Sequence, residues 1–83
     1  MKKSEMEIAI KMMVSDVNWY SFSAERAKKR NLPMIEQDYF SRILGMDKAL
    51  FHLGYILESD GIKADCGEDI EHIEYMHYKA IKR

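Results

Sequence analysis

Along the first third of the chain Met6, Ile10, Met13, Val17, Tyr20, Ala24 and Ala27 recur in alternating steps of four and three, the spacing that gathers side chains on one face of an α-helix. A second set with the same rhythm, Ile8, Met12, Ser15, Trp19 and Phe22, is displaced by two residues, or about 200° round a helix that turns about 100° per residue. The pattern therefore predicts a long helix with two apolar stripes on nearly opposite sides. A helix of that kind is normally covered on both sides.

The next region carries Tyr39, Ile43, Met46, Leu50, Leu53 and Leu57 in one stripe, widened by Phe40, Leu44 and Phe51 about 100° beside it. Ser41, Gly45 and Ala49 follow at intervals of four, a strip of small residues that would let another backbone come close. In the last third Ile70, Ile73, Met76, His77 and Ala80 fit a shorter helix, flanked by Tyr75 and Tyr78. Punctuation supports three segments. Ser4 and Glu7 have capping-box spacing, as do Asp65 and Glu68, and Pro33 suits the first turn of a helix. Arg26, Lys28, Lys29 and Arg30 suit a helix C-terminus, Asn31 a left-handed cap, and Ser59-Asp60-Gly61 a stop. The expected fold is all-α: helices over about 4–30, 33–57 and 66–82 in one domain, an antiparallel long-helix hairpin with a shorter third helix. The run Asn18 to Ser23 is its weakest point, because Asn and Ser compete for backbone hydrogen bonds.

Composition narrows the class. With 83 residues the chain has room for one domain, and 47% hydrophobic against 33% charged residues excludes a disordered chain. Three helices of this size seldom provide more than roughly 3–5 kcal/mol from a single core, so the leftover apolar faces point to self-association, with a dimer as the commonest closed state. Ile8, Met12, Trp19, Phe22 and Gly45 are the expected contacts between copies. Charge is nearly balanced, 13 Lys plus Arg against 14 Asp plus Glu, so no overall field attracts nucleic acid or anionic lipid. Lys11, Asp16, Arg42, Lys48 and Glu58 interrupt every apolar run, so no membrane span is expected. Glu5, Glu7 and Lys11 spoil the apolar segment that a signal peptide would need after Lys2 and Lys3. Cys66, the one cysteine, has no internal partner. A cytoplasmic protein is the resulting expectation.

Candidate chemistry is sparse. Asp65, Cys66, Glu68, Asp69, Glu71, His72, Glu74 and His77 form the densest set of ligand-type residues, but His72 and His77 are five apart, roughly 140° apart on a helix rather than on one face. Glu74-x-x-His77 matches one element of a di-iron carboxylate bundle, which requires a second such element and further glutamates from neighbouring helices. Cys66 would gain reactivity from a helix N-terminus, while Asp65, Glu68 and Asp69 oppose that shift and no spacing positions a base. Phosphate loops and nucleophile elbows are absent from the sequence. No metal, no cofactor and no catalysis is the expectation.

Binding is what remains. In an up-down-up bundle Lys79, Lys82 and Arg83 would approach Arg26, Lys28, Lys29 and Arg30, forming a basic end with Trp19 and Phe22 close by. Those two aromatics and the four cations of helix one are the expected partner-binding residues. The expected function is that of a small non-catalytic interaction protein that masks or bridges a macromolecular partner, most simply another protein, as inhibitors and regulators made by phages and mobile elements do. A small DNA-binding regulator is the first alternative, with the region after Pro33 as recognition helix, although no Arg or Lys lies between Pro33 and Ser41. An oligomeric binder of a small anionic or nucleotide ligand is the second.

Overall fold

The computed structural model describes residues 2–65 and 72–83, Asp65 by its backbone alone. Two helices are followed by two strands: α1 (Lys3–Lys29), α2 (Pro33–His52), β1 (Tyr55–Asp65) and β2 (Ile73–Lys82). The fold is thus α+β, and the all-α expectation is overturned by an antiparallel β-hairpin in place of the third helix.

The α1 helix begins where the Lys2 N–H donates to a Glu5 carboxylate oxygen at 3.3 Å, so Glu5 serves the cap and Ser4 lies inside the helix. It runs unbroken through Asn18 to Ser23. At its end Asn31 adopts φ 58°, the Leu32 N–H donates to the Ala27 carbonyl at 2.9 Å and the Asn31 N–H to that of Lys28 at 3.1 Å. These two bonds close the helix in a Schellman motif. Pro33 then opens α2.

The second helix is shorter than its apolar stripe suggested. Gly54 sits at φ 91°, a left-handed conformation that glycine adopts without steric cost, and its N–H caps the Phe51 carbonyl at 3.0 Å. Helix α2 therefore ends at His52, and Tyr55, Ile56 and Leu57 belong to β1. Register runs from Tyr55 opposite Lys82 to Asp65 opposite Ile73, with one extra residue in β1 between Ser59 and Ile62. Gly61 supplies this bulge at φ 88°. Thus Ser59-Asp60-Gly61, expected to stop a helix, bends a strand. The expected helix over 66–82 is corrected to strand β2 from Ile73; Asp65, expected to open that helix as the first residue of the second capping box, instead ends β1, while Cys66 and Glu68 lie outside the described residues.

An isolated hairpin is marginal in water and needs a packed surface. Here α1 provides it, contacting α2 and β2. The buried apolar side chains are Ile10, Val17, Ala24 and Ala27 of α1, Ile43 and Leu50 of α2, and Ile73 of β2. Four of the seven belong to the first stripe of α1, which makes that stripe the seam of the fold. Among the described residues no helix is long and apolar enough to cross a membrane.

Candidate interaction surface

Three contacts fix how α1 lies along β2. The Asn18 side-chain amide donates to the Tyr78 carbonyl at 3.1 Å while its oxygen accepts from the Tyr78 N–H at 2.7 Å. The Ser21 hydroxyl donates to the Met76 carbonyl at 2.6 Å, and the Lys29 ammonium to the His72 carbonyl at 3.2 Å. Ascending residue numbers on the helix meet descending numbers on the strand, so the two run antiparallel. Asn18 behaves as an added strand residue, satisfying donor and acceptor of one peptide position. Asn18 and Ser21 are the residues that pattern reading missed. Their signal was present: two polar side chains three apart among apolar neighbours share a helix face.

With the seam and the strand-facing side occupied, the second stripe of α1 is left open. Ile8 is 59% exposed, Met12 64% and Trp19 52%. Phe22 borders the strand and is half-buried, meeting Tyr75 edge-on with ring centroids 5.6 Å apart and Trp19 at 5.7 Å. The Arg26 guanidinium lies 5.8 Å from the Trp19 ring centroid and 5.4 Å from that of Phe22, a cation–π arrangement that holds all three side chains together. The structure thus joins Trp19, Phe22 and Arg26 into one cluster and adds Tyr75 to it.

The remaining expected site residues separate from this cluster to different degrees. Lys28 and Arg30 are exposed at the end of α1. Lys29 is committed to the His72 carbonyl and lines an open groove of about 470 Å³ with Glu25, Lys28, His72, Ile73 and Glu74, a lining of mixed charge. Gly45 is exposed on α2, and a side chain there would meet nothing within 4 Å.

The expected basic end does not form. Because β2 is a strand running against α1, its last residues return to the start of that helix, at the other end of a molecule 41 Å long. Lys82 lines a hollow with Lys3, Met6 and Glu7, and Arg83 donates to the Phe51 carbonyl at 3.0 Å with its guanidinium 3.9 Å from the Phe51 ring centroid. Lys79, Lys82 and Arg83 are therefore remote from Arg26, Lys28, Lys29 and Arg30.

Strand geometry also separates the ligand-type residues. Three positions apart on β2, Glu74 and His77 point to opposite faces. His72 Nε2 lies 3.7 Å from Glu74, and His77 Nδ1, buried without a hydrogen bond, lies 3.5 Å from Asp60 at the bulge. Among the described residues no three of His, Cys, Asp and Glu converge as metal ligands do. Cys66, Glu68, Asp69 and Glu71 lie outside the described residues.

No protein-family model, curated protein or solved structure matches this chain.

Proposed function

We propose that the chain is a non-catalytic binding protein that docks on another protein through the outer face of α1 and so masks or bridges it, as an inhibitor or regulator. The observation that carries this reading is the Trp19–Phe22–Arg26 cluster, in which Phe22 is half-buried against Tyr75 while Trp19 is 52% exposed on the outer side of the helix. Tryptophan and arginine are the residue types that most often dominate protein–protein binding energy. Here they stand at the end of an apolar strip begun by Ile8 and Met12, and exposed apolar patches of this kind mark interaction surfaces. The polar contacts on the other sides of α1 are already spent on β2, which leaves this face available without disturbing the fold.

A protein partner is supported over nucleic acid by the charges around α2. Its early turns carry Glu36 and Asp38; Arg42 is paired with Asp38 at 3.1 Å and stacked on Tyr20 and Tyr39. That leaves little for phosphate contacts.

The test is affinity capture with the tagged full chain from lysate of the cells that produce it, followed by Trp19→Ala and Arg26→Glu. A partner retained by the unaltered chain should be lost with either substitution. It should be kept with Met34→Ala, whose side chain is exposed elsewhere. Retention that ignores Trp19→Ala would place the binding face elsewhere.

A further inference from the structure

The contacts that tie β2 to α1 also fix the direction in which every main-chain group of the hairpin points. Tyr78, Met76 and His72 use their main-chain groups toward α1, so the even-numbered positions of β2 face away from β1. The alternation of an antiparallel ladder then assigns Ile56, Glu58, Lys63 and Asp65, the partners of Ile81, Lys79, Tyr75 and Ile73, to point inward. Leu57, Ser59, Ile62 and Ala64 point outward, and among the described residues nothing outside the hairpin bonds their N–H or C=O groups. From Glu58 to Ala64 every residue is exposed. One edge of the sheet is thus open.

We infer that a second copy of this chain adds to that edge, antiparallel, about a two-fold axis that lies between the Asp60–Gly61 peptides of the two copies, giving a four-stranded sheet. Self-complementary charge is the reason for choosing a copy rather than an arbitrary strand, and the bulge permits the register. In a regular strand residues three apart point opposite ways, yet the extra residue brings Ser59 and Ile62 to the same edge. About the proposed axis Ser59 meets Ile62 of the second copy and Leu57 meets Ala64 of the second copy, each twice by symmetry. All four pairs join outward-pointing residues, and each pair of that kind exchanges two hydrogen bonds.

Charge agrees with this register. Glu58 comes opposite Lys63 of the second copy, and Lys63 opposite its Glu58, so both pairs are attractive. Charges and bulges on an edge strand ordinarily discourage pairing; here they are arranged symmetrically, which discourages other strands while admitting this one. Asp60, nearest the axis, has its carboxylate 3.5 Å from His77 on its own hairpin rather than aimed only at its twin. Ile62, 65% exposed, shares a sheet face with its cross-strand neighbour Met76, and both lose solvent contact beside the added strand.

Sedimentation equilibrium of the full chain tests the inference. The unaltered protein should approach twice its 9.8 kDa mass as concentration rises. Lys63→Glu, which faces only Tyr75 within its own hairpin, should raise the dissociation constant about tenfold, since two attractive cross-strand pairs become repulsive. Glu58→Lys should act in the same direction, and the double exchange Glu58→Lys with Lys63→Glu should recover dimerisation relative to either single variant. Circular dichroism melts on the same samples separate lost pairing from lost folding. A monomer at millimolar concentration, or a double variant no better than the singles at equal folded content, would overturn the proposal. So would a dimer dissociated by Trp19→Glu and indifferent to both charge changes, because that dimer would use α1.

Discussion

The two long edges of the β-hairpin are treated differently by the rest of the chain. Along β2 the helix α1 supplies Asn18, Ser21 and Lys29 as stand-ins for a third strand, while along β1 the outward groups from Ser59 to Ala64 meet no such partner among the described residues. The same helix shows a matching contrast around its own circumference. Its seam is buried, its polar flank is spent on the strand, and its apolar outer side is bare. Composition does not explain the difference, because the covered flank of α1 is the polar one and the uncovered side is apolar. What decides coverage is hydrogen bonding. An unpaired strand edge beside apolar surroundings is costly, and a helix face carrying an amide and a hydroxyl can satisfy it where a row of Met, Ile and Trp cannot. The apolar outer side, with Ile8, Met12 and Trp19, stays exposed.

The contrast can be broken most forcefully at Ile73, the buried side chain of β2. Ile73→Ala should cost about 2–5 kcal/mol in urea unfolding, the usual range for truncating a buried aliphatic side chain to alanine, and should loosen α1 from the hairpin. Asn18→Ala comes next. It strands the N–H and C=O of Tyr78 together, so a loss of roughly 1–3 kcal/mol is expected. Trp19→Ala is the smallest effect on stability, less than about 1 kcal/mol, despite being the largest side chain removed, because surface changes away from core, cap and network features rarely exceed about 0.5 kcal/mol and only the Phe22 and Arg26 contacts add to that. Equal losses for Asn18→Ala and Trp19→Ala would remove the distinction between the two sides of α1.

Much of the helical half was legible in the sequence, and the reason is periodic. Over Met6 to Ala27 the four-three rhythm is sustained for three heptads, and Asn31 and Pro33 mark the corner with residues that only a few backbone conformations favour. The last third failed for the opposite reason. Ile73, Met76, His77 and Ala80 satisfy helical spacing, but Ile73, Tyr75 and His77 satisfy strand spacing equally well over so short a run, and β-branched and aromatic residues there favoured the strand. Gly54 stands inside the apolar stripe Leu50, Leu53 and Leu57, where spacing continues the helix, yet its backbone takes the left-handed conformation that ends α2. Among the expected site residues, Trp19, Phe22 and Arg26 come together because they are three and four apart on a real helix. Lys79, Lys82 and Arg83 do not join them, because the direction of the final element depended on its being a helix. Asn18 and Ser21, judged from local propensity alone, looked like a weak point; their role depends on a strand more than fifty residues away in sequence.

Amide hydrogen exchange followed residue by residue at low protein concentration reads the difference between the two edges directly. The Tyr78 amide, bonded to Asn18, should exchange slowly, whereas the Ser59, Ile62 and Ala64 amides should exchange at rates near those of exposed backbone, and Asn18→Ala should erase the protection of Tyr78 alone among these. Slow exchange at Ser59 and Ile62 in dilute solution, or a Tyr78 amide as fast as theirs, would contradict the account of one closed and one open edge.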